Sequence, residues 1–134
     1  MFGLTMGPGM NMAEADVCLT PDGPIPVPIP YPNLQETSTT APAAETVLFD
    51  CAPALNQSSI GLVSEGDDAG VLLGVVSHMI SGEAFYIVGC TTIITDGMPQ
   101  QRLTSVTGQN ALGELPNIVG SCTLPSQETV LTLG

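Results

Sequence analysis

The side chains that could carry out chemistry are few in this sequence of 134 residues. They are four cysteines and one histidine, and the chain has a single Arg102 and no lysine. A cysteine nucleophile needs a neighbouring base to form its thiolate, and only His78 could serve. No segment around these residues resembles a protease signature. We therefore predict that the protein is not an enzyme, and a small cysteine-dependent hydrolase is the least favoured alternative.

The same side chains are the candidate metal ligands, although each is a weak candidate. They are Cys18, His78, Cys90 and Cys122. The four cysteines, which include Cys51, form no C-x-x-C pair, so the usual spacing of a zinc site is missing. Cytosolic cysteines are otherwise explained as small buried hydrophobic residues, and we favour this interpretation. Whether a metal, with zinc as the candidate, is bound stays open at this point.

An acidic turn lies in the middle of the chain, at Ser64-Glu65-Gly66-Asp67-Asp68-Ala69-Gly70. Calcium binding is one interpretation, but the turn lacks the alternating oxygen ligands and the closing glutamate of an EF-hand. The sequence therefore favours a solvated loop. The next residues, 71–80, are apolar and are expected to be buried, but their periodicity does not distinguish helix from strand.

A run of prolines at every second position must be extended, because proline fixes φ and restricts the residue before it. In a strand, this spacing removes every N–H from one edge and leaves the other edge able to pair. We predict a protected edge strand; a polyproline II ligand is the alternative, but such ligands space prolines three apart. The predicted structural or partner-binding residues are Pro24, Pro26, Pro28, Pro30, Pro32, Tyr31 and Asn33.

Composition predicts a single all-β domain over residues 1–134. Hydrophobic residues make up 43% of the chain and aromatic residues 4%, with 15 Gly and 12 Pro, which is typical of strands joined by many turns. Residues 1–13 are expected to form a flexible N-terminal arm, and residues 34–45 an exposed polar loop. The net charge of −12 disfavours nucleic acid and anionic membranes as partners.

A short internal repeat adds to this picture. Thr46-Val47-Leu48-Phe49-Asp50-Cys51-Ala52-Pro53 aligns with Thr92-Ile93-Ile94-Thr95-Asp96-Gly97-Met98-Pro99, 46 residues later. Each copy has the pattern of a strand, an Asp-initiated tight turn and a returning strand. The repeat suggests a pseudo-symmetric β-structure, although two short matches can also arise by chance.

Several segments resemble a known family when they are taken in order along residues 14–110. The first are Asp16-Val17-Cys18, Thr20-Pro21, Gly23-Pro24 and Pro28-Ile29-Pro30-Tyr31-Pro32-Asn33. The later ones are Ser58-Ser59, Gly66-Asp67-Asp68-Ala69-Gly70, Gly74-Val75-Val76-Ser77 and Gly82-Glu83-Ala84-Phe85. Together they resemble the PAAR-like proteins, which are related to the Pro-Ala-Ala-Arg repeat proteins of type VI secretion. The family's His-Asn pair is Gln109-Asn110 here.

The resemblance implies a compact, cone-like β-structure of short strands, hairpins and long loops, with little helix. It also implies a spike-tip protein that caps and sharpens a trimeric spike of the valine-glycine repeat family, for membrane puncturing. One copy would bind each spike trimer, and a separate toxin effector would be delivered with it. An effector-cargo adaptor that shares the fold is the alternative. The classical Pro-Ala-Ala-Arg proteins hold a metal near the tip with several histidines and a cysteine. A chain with one histidine cannot assemble that set, although a cysteine-rich site could replace it.

The start of the sequence has neither the basic residues nor the apolar run of a secretory signal. No apolar run approaches the roughly eighteen residues that a membrane-spanning helix needs. Together with the resemblance, this predicts a protein made in the cytoplasm and exported without a signal peptide. The route would be a contractile secretion apparatus that leads to the extracellular space or a target cell.

Overall fold

The computed structural model describes residues 1–133, and its fold is all-β, as composition predicts. A single turn of 3-10 helix, Thr37–Thr39, is the only helical element of these residues, and none of them forms a helix that could cross a bilayer. The strands are β1 Met10–Asp22, β2 Ile25–Glu36, β3 Thr40–Ala41, β4 Ala44–Phe49, β5 Ala52–Ala54, β6 Ile60–Gly61, β7 Glu83–Tyr86, β8 Cys90–Thr95, β9 Met98–Gln100, β10 Val106–Ala111 and β11 Ile118–Leu124.

Seven of these strands form one antiparallel sheet in the order β2-β1-β11-β10-β7-β6-β3. The long hairpin of β1 and β2 dominates the sheet, and Gly23, with φ of 63°, makes its turn. The remaining strands form two separate hairpins, β4 with β5 and β8 with β9. Because β1 has 13 residues, the hairpin turn at its end lies about 40 Å from Met10, where the strand begins.

The proline run is an edge strand, as its spacing predicts. β2 is the outermost strand of the sheet, and along the prolines it pairs with β1. The first N–H that follows the prolines on the outer edge belongs to Leu34, and it donates to the Glu65 carbonyl at 2.7 Å. Pairing on the outer edge therefore begins where the prolines end. The Tyr31 hydroxyl lies 2.7 Å from the Thr20 hydroxyl across the hairpin, and Asn33 is fully buried.

The interior next to this hairpin is polar. The Asn11 amide donates to Gln35 Oε1 at 2.6 Å and to the Tyr86 hydroxyl at 3.1 Å. Gln35 donates in turn to the Thr40 hydroxyl at 3.2 Å. The prediction of an exposed loop over residues 34–45 is therefore wrong at Gln35, Thr37 and Thr40, which are buried. The Thr37 hydroxyl donates to the Gly7 carbonyl at 2.5 Å, and Gln35 and Thr40 bond to each other, so polarity does not indicate exposure here.

The internal repeat is structural, since both copies are hairpins with the same register. Leu48 pairs with Pro53 in the first, and Ile94 pairs with Pro99 in the second. A third copy, which the sequence reading missed, joins the two ends of the described chain, because Leu131 pairs with Phe2. We call residues 44–57, 90–103, and 127–133 with 1–6 the three hairpin units.

The N-terminal residues do not form a flexible arm, which corrects the sequence prediction. Leu4 and Thr5 are fully buried, and Leu4 belongs to the apolar core with Leu55, Tyr86 and Cys122. Met10–Ala13 already belong to β1. The segment looked like an arm because it contains glycines and methionines, but it supplies the missing strand of the third hairpin unit.

Candidate functional site

The three hairpin units meet in a closed ring of backbone hydrogen bonds. Leu55 N–H donates to Leu4 at 2.9 Å, Leu4 N–H donates to Gln101 at 3.0 Å, and Gln101 N–H donates to Leu55 at 3.0 Å. Each bond ends on the residue from which the next begins. The three strands are thus arranged around a pseudo-threefold axis, although they belong to one chain.

A second set of bonds obeys the same symmetry. Met6 N–H donates to Pro53 at 2.9 Å, Gln57 N–H to Pro99 at 2.9 Å, and Leu103 N–H to Phe2 at 2.8 Å. Each donor lies two residues after Leu4, Leu55 or Gln101. Each acceptor lies two residues before one of the same three residues. We call residues 2–6, 53–57 and 99–103 the threefold ring.

The segments that pair with the ring residues in the three units match one another as well. They are β4, β8 and residues 127–131, and the last of these contains a single bridge, at Leu131. Each begins with a buried residue, Ala44, Cys90 or Gln127, and four positions later has an exposed aliphatic residue. In two units, register shifts separate these positions. The equivalences extend to side chains, since Glu45-Thr46-Val47-Leu48 is identical to Glu128-Thr129-Val130-Leu131.

A different cluster lies beside the proline hairpin, where Asp16, Cys18 and Asp67 are all fully buried. Oxygen or sulfur atoms of the three side chains lie within 4.8 Å of one another, and Cys18 Sγ is 3.9 Å from Asp67 Oδ2. The acidic turn is therefore not a solvated loop at Asp67, which corrects the sequence prediction. Burial of two carboxyl groups requires compensation by hydrogen bonds, by a shared proton or by a cation.

Asparagine amides and a backbone N–H supply much of this compensation. Asn110 Nδ2 donates to Asp16 Oδ2 at 2.9 Å, and Asn117 Nδ2 donates to Asp16 Oδ1. The Ser81 N–H donates to Asp67 Oδ1 at 3.2 Å. The orientation of Asn110 is fixed, because its oxygen accepts from the Gly82 N–H and its nitrogen also donates to the Met79 carbonyl. Asn110 therefore presents a donor to the cluster, which suits an anion and not a metal ion.

The electrostatics of the cluster raise the pKa of two of its groups. Burial raises the pKa of the Asp16 carboxyl, and the charge of Asp67 raises it further, while the hydrogen bonds from Asn117 and Asn110 oppose these effects. Burial also raises the pKa of the Cys18 thiol to about 12, with the same two carboxylates adding to the effect. Cys18 is therefore a thiol at neutral pH, which is the opposite of a catalytic cysteine.

Glycines hold the loop of residues 66–82 tightly against this cluster. A Cβ at Gly70 would overlap Cys18, and a Cβ at Gly74 would lie 2.6 Å from the Asn117 side chain. A Cβ at Gly82 would lie 2.9 Å from Asn110 Oδ1. Segments that the sequence separates by up to about a hundred residues therefore converge on one clamp, which we define as Asp16, Cys18, Asp67, Asn110 and Asn117.

A comparison with models of protein families shows to which family the chain belongs. The family model described as the toxin PAAR-like domain matches residues 9–114, which is most of the chain. The chain belongs to this PAAR-like family. Comparisons with curated proteins and with solved structures give no match. The PAAR-like match contains two complete hairpin units, while the third unit lies outside it. It also contains every clamp residue except Asn117.

The predicted metal ligands of this PAAR-like domain lie in different places. Cys18 belongs to the clamp, Cys122 packs in the apolar core, Cys90 begins β8, and His78 is exposed. Within residues 1–133, one group of three side chains could hold a metal ion, and it consists of Asp16, Cys18 and Asp67. Of the four predicted ligands, only Cys18 belongs to this group. A site built from several histidines and a cysteine does not fit this geometry, and the asparagine donors make the clamp a poor cation site.

Zinc content tests this interpretation of the clamp. We expect protein purified without a His-tag to contain less than about half an equivalent of zinc by elemental analysis, because amide donors already compensate the buried carboxyl groups. A Cys18→Ala variant should contain the same amount as the wild type. A full equivalent of zinc that disappears in this variant would overturn the hydrogen-bonded clamp.

Thiol labelling gives a second test. Cys51 lies at a hairpin turn and is exposed, whereas Cys18, Cys90 and Cys122 are buried. Burial also raises the pKa of Cys122 to about 12. We expect iodoacetamide at pH 7.5 to label one thiol of the native protein rapidly and four after denaturation. A Cys51→Ser variant should show no rapid labelling; rapid loss of a second thiol would mean that a core cysteine is accessible.

Proposed function

We propose that this PAAR-like domain is a non-enzymatic spike-tip protein that caps a trimeric type VI spike of the valine-glycine repeat family. The observation that supports the proposal is the threefold ring. A single chain with three equivalent units can offer one similar surface to each subunit of a trimer. A chain without such units could match only one subunit at a time. The proposal therefore includes one bound copy per spike trimer, with the axes of the two proteins in line.

The arrangement of the hairpins suits this role in a second way. The threefold ring and the proline hairpin turn are far apart, because β1 spans about 40 Å between them. With the ring on the spike, the proline hairpin would point away from it. Its edge is protected from further strand pairing by the prolines. The protein would leave the cytoplasm on the spike, through the contractile apparatus and without a signal peptide, together with a separate toxin effector.

Binding to the spike should depend on apolar contacts more than on charge. The chain has a net charge of −12, so attraction through charge would require a strongly basic spike surface. We expect the Kd for the trimeric spike protein to change less than about threefold between low salt and roughly 0.5 M salt. A loss of about a hundredfold, close to 3 kcal/mol, would contradict the apolar contact.

An effector-cargo adaptor is the second candidate, and the same experiment separates the two. An adaptor would bind a toxin effector tightly without needing the trimeric spike. Titration of the purified spike trimer with this protein should give saturation at one copy per trimer. Absence of a complex at micromolar concentrations, in a sample that does bind the effector, would favour the adaptor.

A further inference from the structure

We propose that Leu48, Ile94 and Leu131 are the three contact points through which the domain binds a threefold-symmetric partner, one on each subunit. This inference rests on the proposed spike-tip function and assigns its contact residues. We call the three residues the aliphatic triad. Each belongs to a different hairpin unit and pairs with a residue of the adjoining ring strand, which is Pro53, Pro99 or Phe2.

The exposure of the triad is the same in all three units. Leu48 is 58% exposed, Ile94 59% and Leu131 57%. Single exposed aliphatic residues are common on protein surfaces and need no explanation. Three at equivalent positions around a pseudo-threefold axis are different, because one constraint acting on all three units accounts for them together. A partner with three identical subunits imposes such a constraint.

The neighbouring positions show where the exposed aliphatic side chains lie. The residue directly before each triad member, Val47, Ile93 or Val130, is also aliphatic but is only partly exposed. The residues two positions earlier in the chain, Thr46, Thr92 and Thr129, are exposed and polar in every unit. The residues three positions earlier include two glutamates, Glu45 and Glu128. In a chain with 13 acidic residues, each unit thus keeps an uncharged aliphatic side chain at the equivalent exposed position, and the third unit also exposes Leu133. Burial of these side chains against a partner removes apolar surface from water, which favours binding.

Substitution of the triad by threonine tests the proposal, since threonine keeps a β-branched side chain suited to a strand. The variants are Leu48→Thr, Ile94→Thr, Leu131→Thr and the triple variant. The matched controls are Leu112→Thr and Val119→Thr, because both residues are 57% exposed and lie outside the three units. The measured quantity is the Kd for the purified trimeric valine-glycine repeat spike protein, with thermal unfolding as the check on folding.

Each single variant should weaken binding by about five- to tenfold, and the three effects should agree within about threefold, because the partner surfaces are identical. The triple variant should lose about a hundredfold or more, while both controls bind like the wild type. If the triple variant is folded and keeps wild-type affinity, the triad assignment is overturned and the spike-tip function stands. A wild type that does not bind the spike overturns both.

Two other outcomes would also overturn the triad assignment. The first is a wild-type protein that self-associates through these residues, so that the triple variant changes the oligomeric state and leaves spike binding intact. The second is a loss confined to one single variant, with the other two unchanged. That result would indicate a local patch and not a threefold contact.

Discussion

Replacement of Gly66 by alanine is expected to lower the free energy of unfolding by about 2–6 kcal/mol, a large part of the stability of a typical small domain. Gly66 has φ of 112°, a backbone conformation that an L-residue rarely adopts. A Cβ at this position would also overlap the carbonyl oxygen of Pro32, at the end of the proline run. The backbone of β2 is held by β1, so it cannot move away without breaking the long hairpin.

Gly23→Ala is the matched control for this prediction. Gly23 also has a positive φ, 63°, but a Cβ there would have no atom within 4 Å. We expect it to cost about 1–2 kcal/mol through backbone strain alone. Urea unfolding followed by circular dichroism measures both variants. If the two variants differ by less than about 1 kcal/mol, the close packing of the loop against β2 is not important for stability.

The second large effect is expected for Asn110→Asp, which keeps the size of the side chain and its tolerance of a positive φ. The amide nitrogen that donates to Asp16 and to the Met79 carbonyl becomes an oxygen, so a donor is replaced by an acceptor. A third carboxyl group would then lie beside Asp16 and Asp67. We expect a loss of about 2–4 kcal/mol in the free energy of unfolding at pH 7.5.

The pH dependence of this variant identifies the cause. Protonation of a carboxyl group in the clamp restores a donor, so the deficit of Asn110→Asp relative to the wild type should shrink as the pH falls towards about 4.5. As far as Asp16 is concerned, the wild type should itself become more stable as the pH falls through the folded pKa of that carboxyl group. Its folded pKa is raised above 3.8, so its stabilising contribution is greatest at low pH and is lost as the pH rises through the folded value. If added zinc or calcium instead stabilises the wild type itself, the clamp is a cation site.

The parts of the fold that follow from local chemistry could be predicted from the sequence. Proline at every second position removes donors from one edge, and β2 is accordingly the edge strand. The two hairpin turns follow in part from residues that tolerate a positive φ, which are Asp50, Asp96 and Gly97, while Cys51 adopts φ of 65° without such a preference. The family resemblance also followed from residue types in a fixed order, and the match over residues 9–114 confirms it.

The parts that depend on distant pairing could not be predicted in this way. The third hairpin unit joins residues from the two ends of the chain, so no local turn marks it. Its one signal was the second Glu-Thr-Val-Leu segment at residues 128–131. The loop shows the same limit twice. The aliphatic residues between Val71 and Val76 were expected to be buried but are exposed, whereas Asp67 was expected to be exposed but is buried. Whether a loop residue is buried depends on partners in β1, in β10 and in the segment that follows β10. Periodicity within the loop does not reveal these partners.

The most direct test of the central claim is a cryo-electron microscopy reconstruction of the trimeric spike mixed with an excess of this protein, refined without imposed symmetry. We predict one copy on the end of each spike, with the spike axis passing between Leu4, Leu55 and Gln101. The three hairpin units should each face one spike subunit. Three copies on the sides of the spike, or one copy whose threefold ring is away from the spike axis, would contradict the proposed cap.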